Sequence, residues 1–423
     1  MMKIRSLVLA ALFMLMLPLS GAFAQEAEDI SAECTFKSDS YARKWTNLTN
    51  KNYDAYWQSG ERKNPYLVIQ SEKPMYSLYL CFREMPESYV LQRKEGKEWV
   101  TFAEGDTRFH HAFYELDGET EIRVFSTQAK KHRLVLNEIF MFGQGEVPAW
   151  VQRWEDTEEK ADVMLLVAHP DDELIFFAGT IPTYAVERDK RVVIAYLTYC
   201  DKTRRSEALN GLWSMGVKNY PVFGNFIDKY SRSLKEAYQK AGNNSTSTGK
   251  KKVHEWVTEL FRKYQPDVVL TQDIKGEYGH GQHRMVADAC IQCYDLAADP
   301  QKFPKSYEKY GAWEVKKLYV HLYGQEEQRV YFTWNTPLES QNGLTGMEAA
   351  EAAFKNHHLS QVELTFGIGE RRVPLSVTEV GGYYDNTAFG LYASRVGDDV
   401  KKNDFLENIT TDISEEIIFE LVR

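Results

Sequence analysis

The run Val163-Met164-Leu165-Leu166-Val167-Ala168 ends abruptly in His169-Pro170-Asp171-Asp172-Glu173. An apolar run without alternation describes a strand covered on both faces, as in a parallel sheet flanked by helices. The polar residues then fall just past the carboxyl end of that strand, where open α/β sheets bind their ligands. A histidine and an aspartate three residues on can reach one cation. Asp171, between them, is left for proton transfer. Histidine with carboxylates suits zinc better than copper or an iron–sulfur cluster. The same residues also fit a turn with a helix N-cap, since proline and aspartate favour those positions.

A second cluster, Gly276-Glu277-Tyr278-Gly279-His280-Gly281-Gln282-His283-Arg284, follows another apolar run, Asp267-Val268-Val269-Leu270-Thr271. Histidines three apart share a helix face. In a glycine-rich loop that opens a helix, one of them can bind metal while the other faces the reacting group. The histidine pairs at 110–111 and 357–358 lack such a setting and read as surface residues.

Strand and helix patterns alternate from here on. Strands are expected at 163–168, 191–198, 221–226, 267–271 and 316–322. Helices are expected at 173–189 (kinked at Pro182), 204–215, 251–264 and 283–297. This is the signature of an α/β fold with a Rossmann-like, mostly parallel sheet. No Gly-x-Gly-x-x-Gly follows the first strand, so a dinucleotide site is not indicated. The polar stretch 229–252 reads either as a loop at the substrate mouth or as a disordered insertion.

Residues 26–145 have a different grammar. Short runs such as 66–69, 76–82, 89–91, 121–125 and 138–142 are rich in β-branched and aromatic residues, with turn formers or charges between them. They predict an all-β sandwich, joined by an acidic linker at 146–160 to an α/β domain at 161–423. In front, Lys3 and Arg5 precede the apolar run 7–19, and Ala22-Phe23-Ala24 fits a cleavage site. Residues 1–24 are therefore expected to be a signal peptide, placing the protein in the periplasm or outside the cell. No later apolar stretch is long enough to span a bilayer. The net charge of −10, without a basic stripe, argues against a nucleic-acid partner. Among the five cysteines, Cys34 and Cys81 share the first domain and are open to bridging. Cys290 and Cys293 lie in an expected helix with no second pair, which favours core packing over a structural zinc site.

Together, Ala168-His169-Pro170-Asp171-Asp172-Glu173 and Gly279-His280-Gly281-Gln282-His283 resemble the PIG-L/LmbE family of zinc-dependent N-acetylglucosaminide deacetylases. The resemblance covers roughly residues 160–410. It implies that His169, Asp172 and His283 bind Zn2+, that Asp171 is the general base, and that His280 stabilises the oxyanion or protonates the leaving amine. Family members often carry Pro-Asp where this chain has Gly281-Gln282, a departure that spares the ligands. Arg204-Arg205-Ser206-Glu207 resembles the family's Arg-x-x-Glu helix, whose arginine approaches the substrate. Asp228 matches a loop aspartate that binds a sugar hydroxyl, and His358-Leu359-Ser360-Gln361 resembles a late His-x-Ser-Gln segment. For Arg204 and Asp228 a solvated ion pair and an ordinary loop acid are the competing readings. The run 48–58 resembles a discoidin-type, galactose-binding-like domain, in which Trp45, Tyr56 and Trp57 would either bind sugar or pack the core. The resemblance implies an N-acetylated sugar or glycan as substrate. Two alternatives stand beside it: a zinc amidase acting on another amide, and a glycan-binding protein with an inert deacetylase-like domain.

Overall fold

The computed structural model describes residues 25–38, 44–199, 202–368 and 370–409. The expected signal peptide at 1–24 lies outside them.

The first domain is all β. Strands β1 (Thr35–Ser38), β2 (Trp57–Gln58), β3 (Tyr66–Phe82), β4 (Tyr89–Glu95), β5 (Glu98–Glu104), β6 (His111–Ser126) and β7 (Val135–Phe142) form one antiparallel sheet in the order β2-β7-β3-β6-β4-β5, with β1 on β3. The two long strands pair throughout, with irregularities between Gln70 and Ser77. The first half of β3 lies beside β1 and the second half beside β7. The sheet thus folds over a core that includes Leu67, Ile69, Leu78, Leu80, Ile122, Val124, Ile139 and Met141. Alternation puts these side chains on one face and leaves Tyr79, Cys81, Phe140 and Phe142 on the other, in a second cluster. That alternation keeps Cys34 and Cys81 apart. Cys34 belongs to the inner core and Cys81 to the outer cluster, and both thiols are free. Trp57 is fully buried and stacks on Trp45, so of the three aromatic residues singled out only Tyr56 is exposed.

The second domain is α/β. Strands β8 (Val163–Val167), β9 (Val192–Thr198), β10 (Val222–Phe226), β11 (Val268–Thr271), β12 (Lys317–His321), β13 (Arg329–Tyr331) and β16 (Ala388–Ser394) form a sheet in the order β10-β9-β8-β11-β12-β16-β13; β14 (Thr365–Ile368) and β15 (Arg371–Pro374) form a separate hairpin. The pairs from β10 to β12 are parallel, and β16 is antiparallel to both its neighbours. Every residue of β8, β9, β11 and β12 is buried, as the unbroken apolar runs require. The chain moves outward from β8 through β9 to β10, then returns to β11 on the other side of β8. The carboxyl ends of β8 and β11 therefore flank the point where strand order reverses, the usual place for a ligand crevice.

Helices α1 (Asp172–Ile175), α2 (Lys202–Ser214), α3 (Leu234–Ala241), α4 (Thr246–Tyr264), α5 (Gly281–Leu296), α6 (Pro304–Tyr310), α7 (Gly346–His357) and α8 (Val377–Gly381) complete the domain. Two expectations are corrected. The helix over 173–189 is broken rather than kinked: α1 stops at Ile175, Ala178 is left-handed, and 182–187 is π-helical. The break lets Gly179 sit against the Trp334 ring, where a Cβ would collide. The polar stretch 229–252 is ordered into α3 and the start of α4, each capped by a serine side chain, Ser233 and Ser245. Ala237 and Tyr238 anchor α3, and the Tyr238 hydroxyl donates to Asp288 (2.6 Å). Cys290 and Cys293 are core residues on α5. The segment after β16 brings Phe405 into the core and Asp399 onto the buried Lys317 ammonium.

The domains share a built interface. Phe109, two residues before β6, inserts into the core of the α/β domain. His110 Nδ1 meets the Tyr220 hydroxyl (2.6 Å), Arg205 donates to the Arg83 carbonyl (2.6 Å), and Trp213 donates to the Ala149 carbonyl (2.8 Å). His110 and His111, expected at the surface, are thus buried, as is His358, which stacks on Phe354; His357 is half-buried.

Candidate active site

The carboxyl ends of β8, β10 and β11, with the first turn of α2, bring all seven singled-out residues into one cluster. Directly after β8, the His169 backbone N–H donates to Asp172 Oδ2 (2.7 Å) and His169 Nδ1 lies 3.1 Å from the same oxygen. From the loop after β11, His283 Nε2 lies 3.4 Å from Asp172 Oδ1. One aspartate therefore touches both histidines that the sequence pairs with it. Burial opposes ionisation of Asp172, but the His283 and His169 rings outweigh it and hold the carboxyl below its ordinary range. Burial likewise opposes charge on His169, and Asp172 overcomes it, raising the imidazole to about 9. The pocket thus favours a cation between these three side chains.

His280 is the third imidazole, and the ligating atoms of His169, His280 and His283 all lie within 4.8 Å of one another. Four side chains thus surround a position that needs three ligands. The His280 ring differs from the other two in its hydrogen bonding. It is the N-cap of α5, and its Nδ1 accepts from the Gln282 N–H (3.3 Å). Burial, with the neighbouring His283 and His169, pushes it down to about 2, so it is neutral. A neutral ring whose Nδ1 accepts carries its proton on Nε2. In that state Nε2 is a hydrogen-bond donor facing the other two imidazoles. His169, Asp172 and His283, the set that the family resemblance implies, offer two nitrogens and a carboxylate, donors suited to zinc.

Asp171 follows His169 by two residues and is bound otherwise. Its Oδ1 accepts from Arg204 (2.7 Å), whose other terminal nitrogen donates to Asp228 (2.8 Å). Arg204, on α2, thus bridges the base candidate and the loop acid after β10. Burial nevertheless raises the Asp171 carboxyl, to about 6. Its backbone sits at φ 126°, a region costing an ordinary residue about 1–3 kcal/mol. The Asp171 N–H donates to Glu173 Oε2 (2.8 Å), and the Leu174 and Ile175 N–H groups donate to its carbonyl. These bonds hold the strained turn that faces Asp171 and Asp172 in different directions.

Several supporting residues carry no sequence-based assignment. Glu277, fully buried, accepts His283 Nδ1 at 2.8 Å and His321 Nδ1 at 2.6 Å. Burial works against its charge, but the two imidazoles hold it down to about 2. A carboxylate behind a histidine fixes the ring's tautomer and aims its free nitrogen at the metal position. The signal is present in the chain: Glu277 sits in the second cluster, and His321 ends a buried parallel strand just as His169 follows one. Gln282 accepts from the Lys229 N–H (3.1 Å), donates to the Ile227 carbonyl (2.9 Å), and places Oε1 3.1 Å from His169 Nε2. The departure at 281–282 is therefore a tie between the loop after β10 and the site. The Arg-x-x-Glu helix and the His-x-Ser-Gln segment prove to be one structural unit, since the Ser360 N–H and hydroxyl both donate to the Glu207 carboxylate (2.6 Å each).

Residues 164–294 match the family model PIG-L: GlcNAc-PI de-N-acetylase. Residues 164–294 are a PIG-L domain. The match spans β8 to α5 and so contains all seven residues singled out, with Glu277, Gln282 and Glu207, but not His321 or Ser360. The chain is similar to 1D-myo-inositol 2-acetamido-2-deoxy-alpha-D-glucopyranoside deacetylase 1 of Frankia alni, 27% identical over 36% of this chain and 59% of that protein. It is 24% identical to the corresponding deacetylase of Streptomyces scabiei over 48% of this chain and 76% of that protein. It spans a little over half the length of the first relatives it matches. Among solved structures, a conserved protein of Thermus thermophilus, TT1542, aligns with a TM-score of 0.32, at 16% identity over 46% of this chain and 79% of that one. The family 32 carbohydrate-binding module of Clostridium perfringens NanJ, solved with galactose, aligns with a TM-score of 0.24, at 14% identity over 28% of this chain and 99% of that one.

Proposed function

We propose that the protein is a zinc-dependent hydrolase that removes the acetyl group from N-acetyl amino sugars of glycans or glycosides. One observation carries the reading: in the PIG-L domain, Asp172 touches both His169 and His283 at the strand-order reversal, with Asp171 alongside but bonded elsewhere. The names of the Frankia and Streptomyces relatives support the substrate class. Export follows from the leader-like pattern of residues 1–24. No helix among the described residues is long and apolar enough to cross a membrane.

His169, Asp172 and His283 would hold the zinc, which when bound supplies Lewis acidity at the acetamide carbonyl and lowers the pKa of water. Asp171 takes the proton of the attacking water, a task suited to a carboxylate raised towards neutrality. His280 donates its Nε2 proton as a hydrogen bond to the developing oxyanion. Arg204 holds Asp171 and Asp228 in place, and Asp228 accepts from a sugar hydroxyl. The test is acetate release from free and polymeric GlcNAc and GalNAc substrates by chelator-treated protein, with and without added zinc. Zinc-restored release supports the reading. Release that is unaffected by chelation, or none from any acetamido sugar, refutes it.

A further inference from the structure

A cavity of about 810 Å³ opens between the sandwich and the PIG-L domain, within the size range of small-molecule sites. The sandwich lines it with the loop before β2, the loop after β3 and the start of β7, and the PIG-L domain with Tyr199 and Lys202. Tyr199 directly follows β9, at the carboxyl-end edge of the sheet that also carries the candidate active site. Tyr199 follows Thr198, whose N–H donates to the carbonyl of Ala168, the neighbour of His169 (3.0 Å). Lys202 opens α2, the helix that carries Arg204 two positions on, whose guanidinium grips Asp171.

The lining has the character of a site for a neutral polyol. Each domain contributes one exposed aromatic ring, Tyr56 at 39% and Tyr199 at 43% exposure. The Arg83 guanidinium lies 4.6 Å from the centre of the Tyr56 ring and donates to the Tyr53 carbonyl, which fixes that ring in place. Charges of both signs surround the rings: Arg83, Arg133 and Lys202 against Glu84 and Glu87. Lys202 pairs with Glu84 across the domain boundary. A strongly anionic or cationic ligand would meet like charge here. A sugar would not: its C–H faces pack on aromatic rings and its hydroxyls both donate to carboxylates and accept from guanidinium and ammonium groups.

We propose that this cavity binds sugar units that flank the acetamido residue being processed, so that the two domains together read a neutral oligosaccharide. The proposal rests on the deacetylase reading for its substrate class, but binding tests it independently. Tetra-N-acetylchitotetraose and N-acetylglucosamine are titrated calorimetrically into the full chain and into Tyr56→Ala, Tyr199→Ala and Met85→Trp. The first two remove exposed rings, and the third fills a wall of the cavity that is 44% exposed at Met85. The wild type should bind the tetramer more tightly than the monosaccharide. Each variant should lower the ratio of tetramer to monosaccharide affinity by about tenfold. A wild type that binds both equally, or variants that leave the ratio unchanged, overturns the proposal. If neither sugar yields acetate while the tetramer ratio still falls, the activity reading fails and the cavity assignment stands.

Discussion

Two groups of buried histidines, one in each domain, are chemically opposite. In the sandwich, His111 Nδ1 meets the Tyr79 hydroxyl (2.5 Å) and His110 Nδ1 the Tyr220 hydroxyl (2.6 Å). Burial, reinforced by Arg205, drives both imidazoles to the neutral form, His111 to about 3. In the PIG-L domain, His169 and His283 are equally buried, yet their partners are Asp172 and Glu277. Burial alone turns a histidine into a neutral partner for a phenol. Burial beside ionised carboxylates makes a place for a cation. The identity of the neighbour, not the depth, separates structural histidines from candidate ligands.

Removing the side chains that define the second group should have the largest effect. Asp172→Ala or His283→Ala should strip zinc and lower deacetylation by about 10³-fold or more, since a metal supplies several kcal/mol of transition-state stabilisation and each ~1.4 is tenfold. Metal content after dialysis and acetate release are the measurements. A variant that keeps both zinc and rate would erase the contrast. Asp171→Asn should cost about 10²–10⁴-fold in kcat while retaining zinc, because only the proton acceptor is lost. Loss of zinc with it would make Asp171 a ligand rather than a base.

Much of this contrast is legible in the sequence, and the exceptions have physical causes. The parallel strands announce themselves as unbroken apolar runs, and the ligands follow those runs, so sheet and site are read together. His110 looks like a surface residue because its partner is Tyr220 of the other domain, and His111 because it lies with Tyr79 and Cys81 on the outer sheet face. Nothing in a local window reports a partner domain. The helix α3 escapes sequence reading for a related reason: its few apolar residues pack on α4 and α5, and its Tyr238 hydroxyl is received by Asp288 of α5. The π-helical break at 182–187 answers to Trp334, 155 residues from Gly179 (334 − 179), which no reading of Pro182 alone supplies.

A smaller effect sharpens the comparison from within the site. Glu277→Gln keeps the shape but offers one oxygen and one NH2 group where two oxygens served His283 and His321. Zinc affinity should fall about 10–100-fold, the usual cost of losing an outer partner of a metal-bound histidine. Competition with a chromogenic chelator measures it. With saturating zinc, most of the rate should return, which separates a residue that aims a ligand from one that touches substrate. An affinity equal to wild type would show that His283 needs no carboxylate behind it.

The sandwich pair supplies the weakest and most specific contrast. His111→Phe keeps an aromatic ring in the outer cluster but leaves the Tyr79 hydroxyl without its imidazole partner, which should cost about 1–3 kcal/mol of stability. Zinc content and rate at moderate temperature should match wild type, since the bonds of His111 stay within the sandwich. The pH dependence gives a second signature. An unfolded histidine titrates near 6.5, whereas folded His111 stays neutral down to about 3. A depressed group contributes stability that is present above pH 6.5 and is lost as pH falls towards 3. In that window the unfolded chain binds the extra proton, so wild type should lose up to about 1.4 kcal/mol per pH unit from this residue. The difference in unfolding free energy between wild type and His111→Phe, followed by denaturant titration from pH 7 to 4, should therefore shrink as pH falls. A difference that stays constant across the window would mean His111 is charged in the fold, and the two groups of histidines would no longer be opposites.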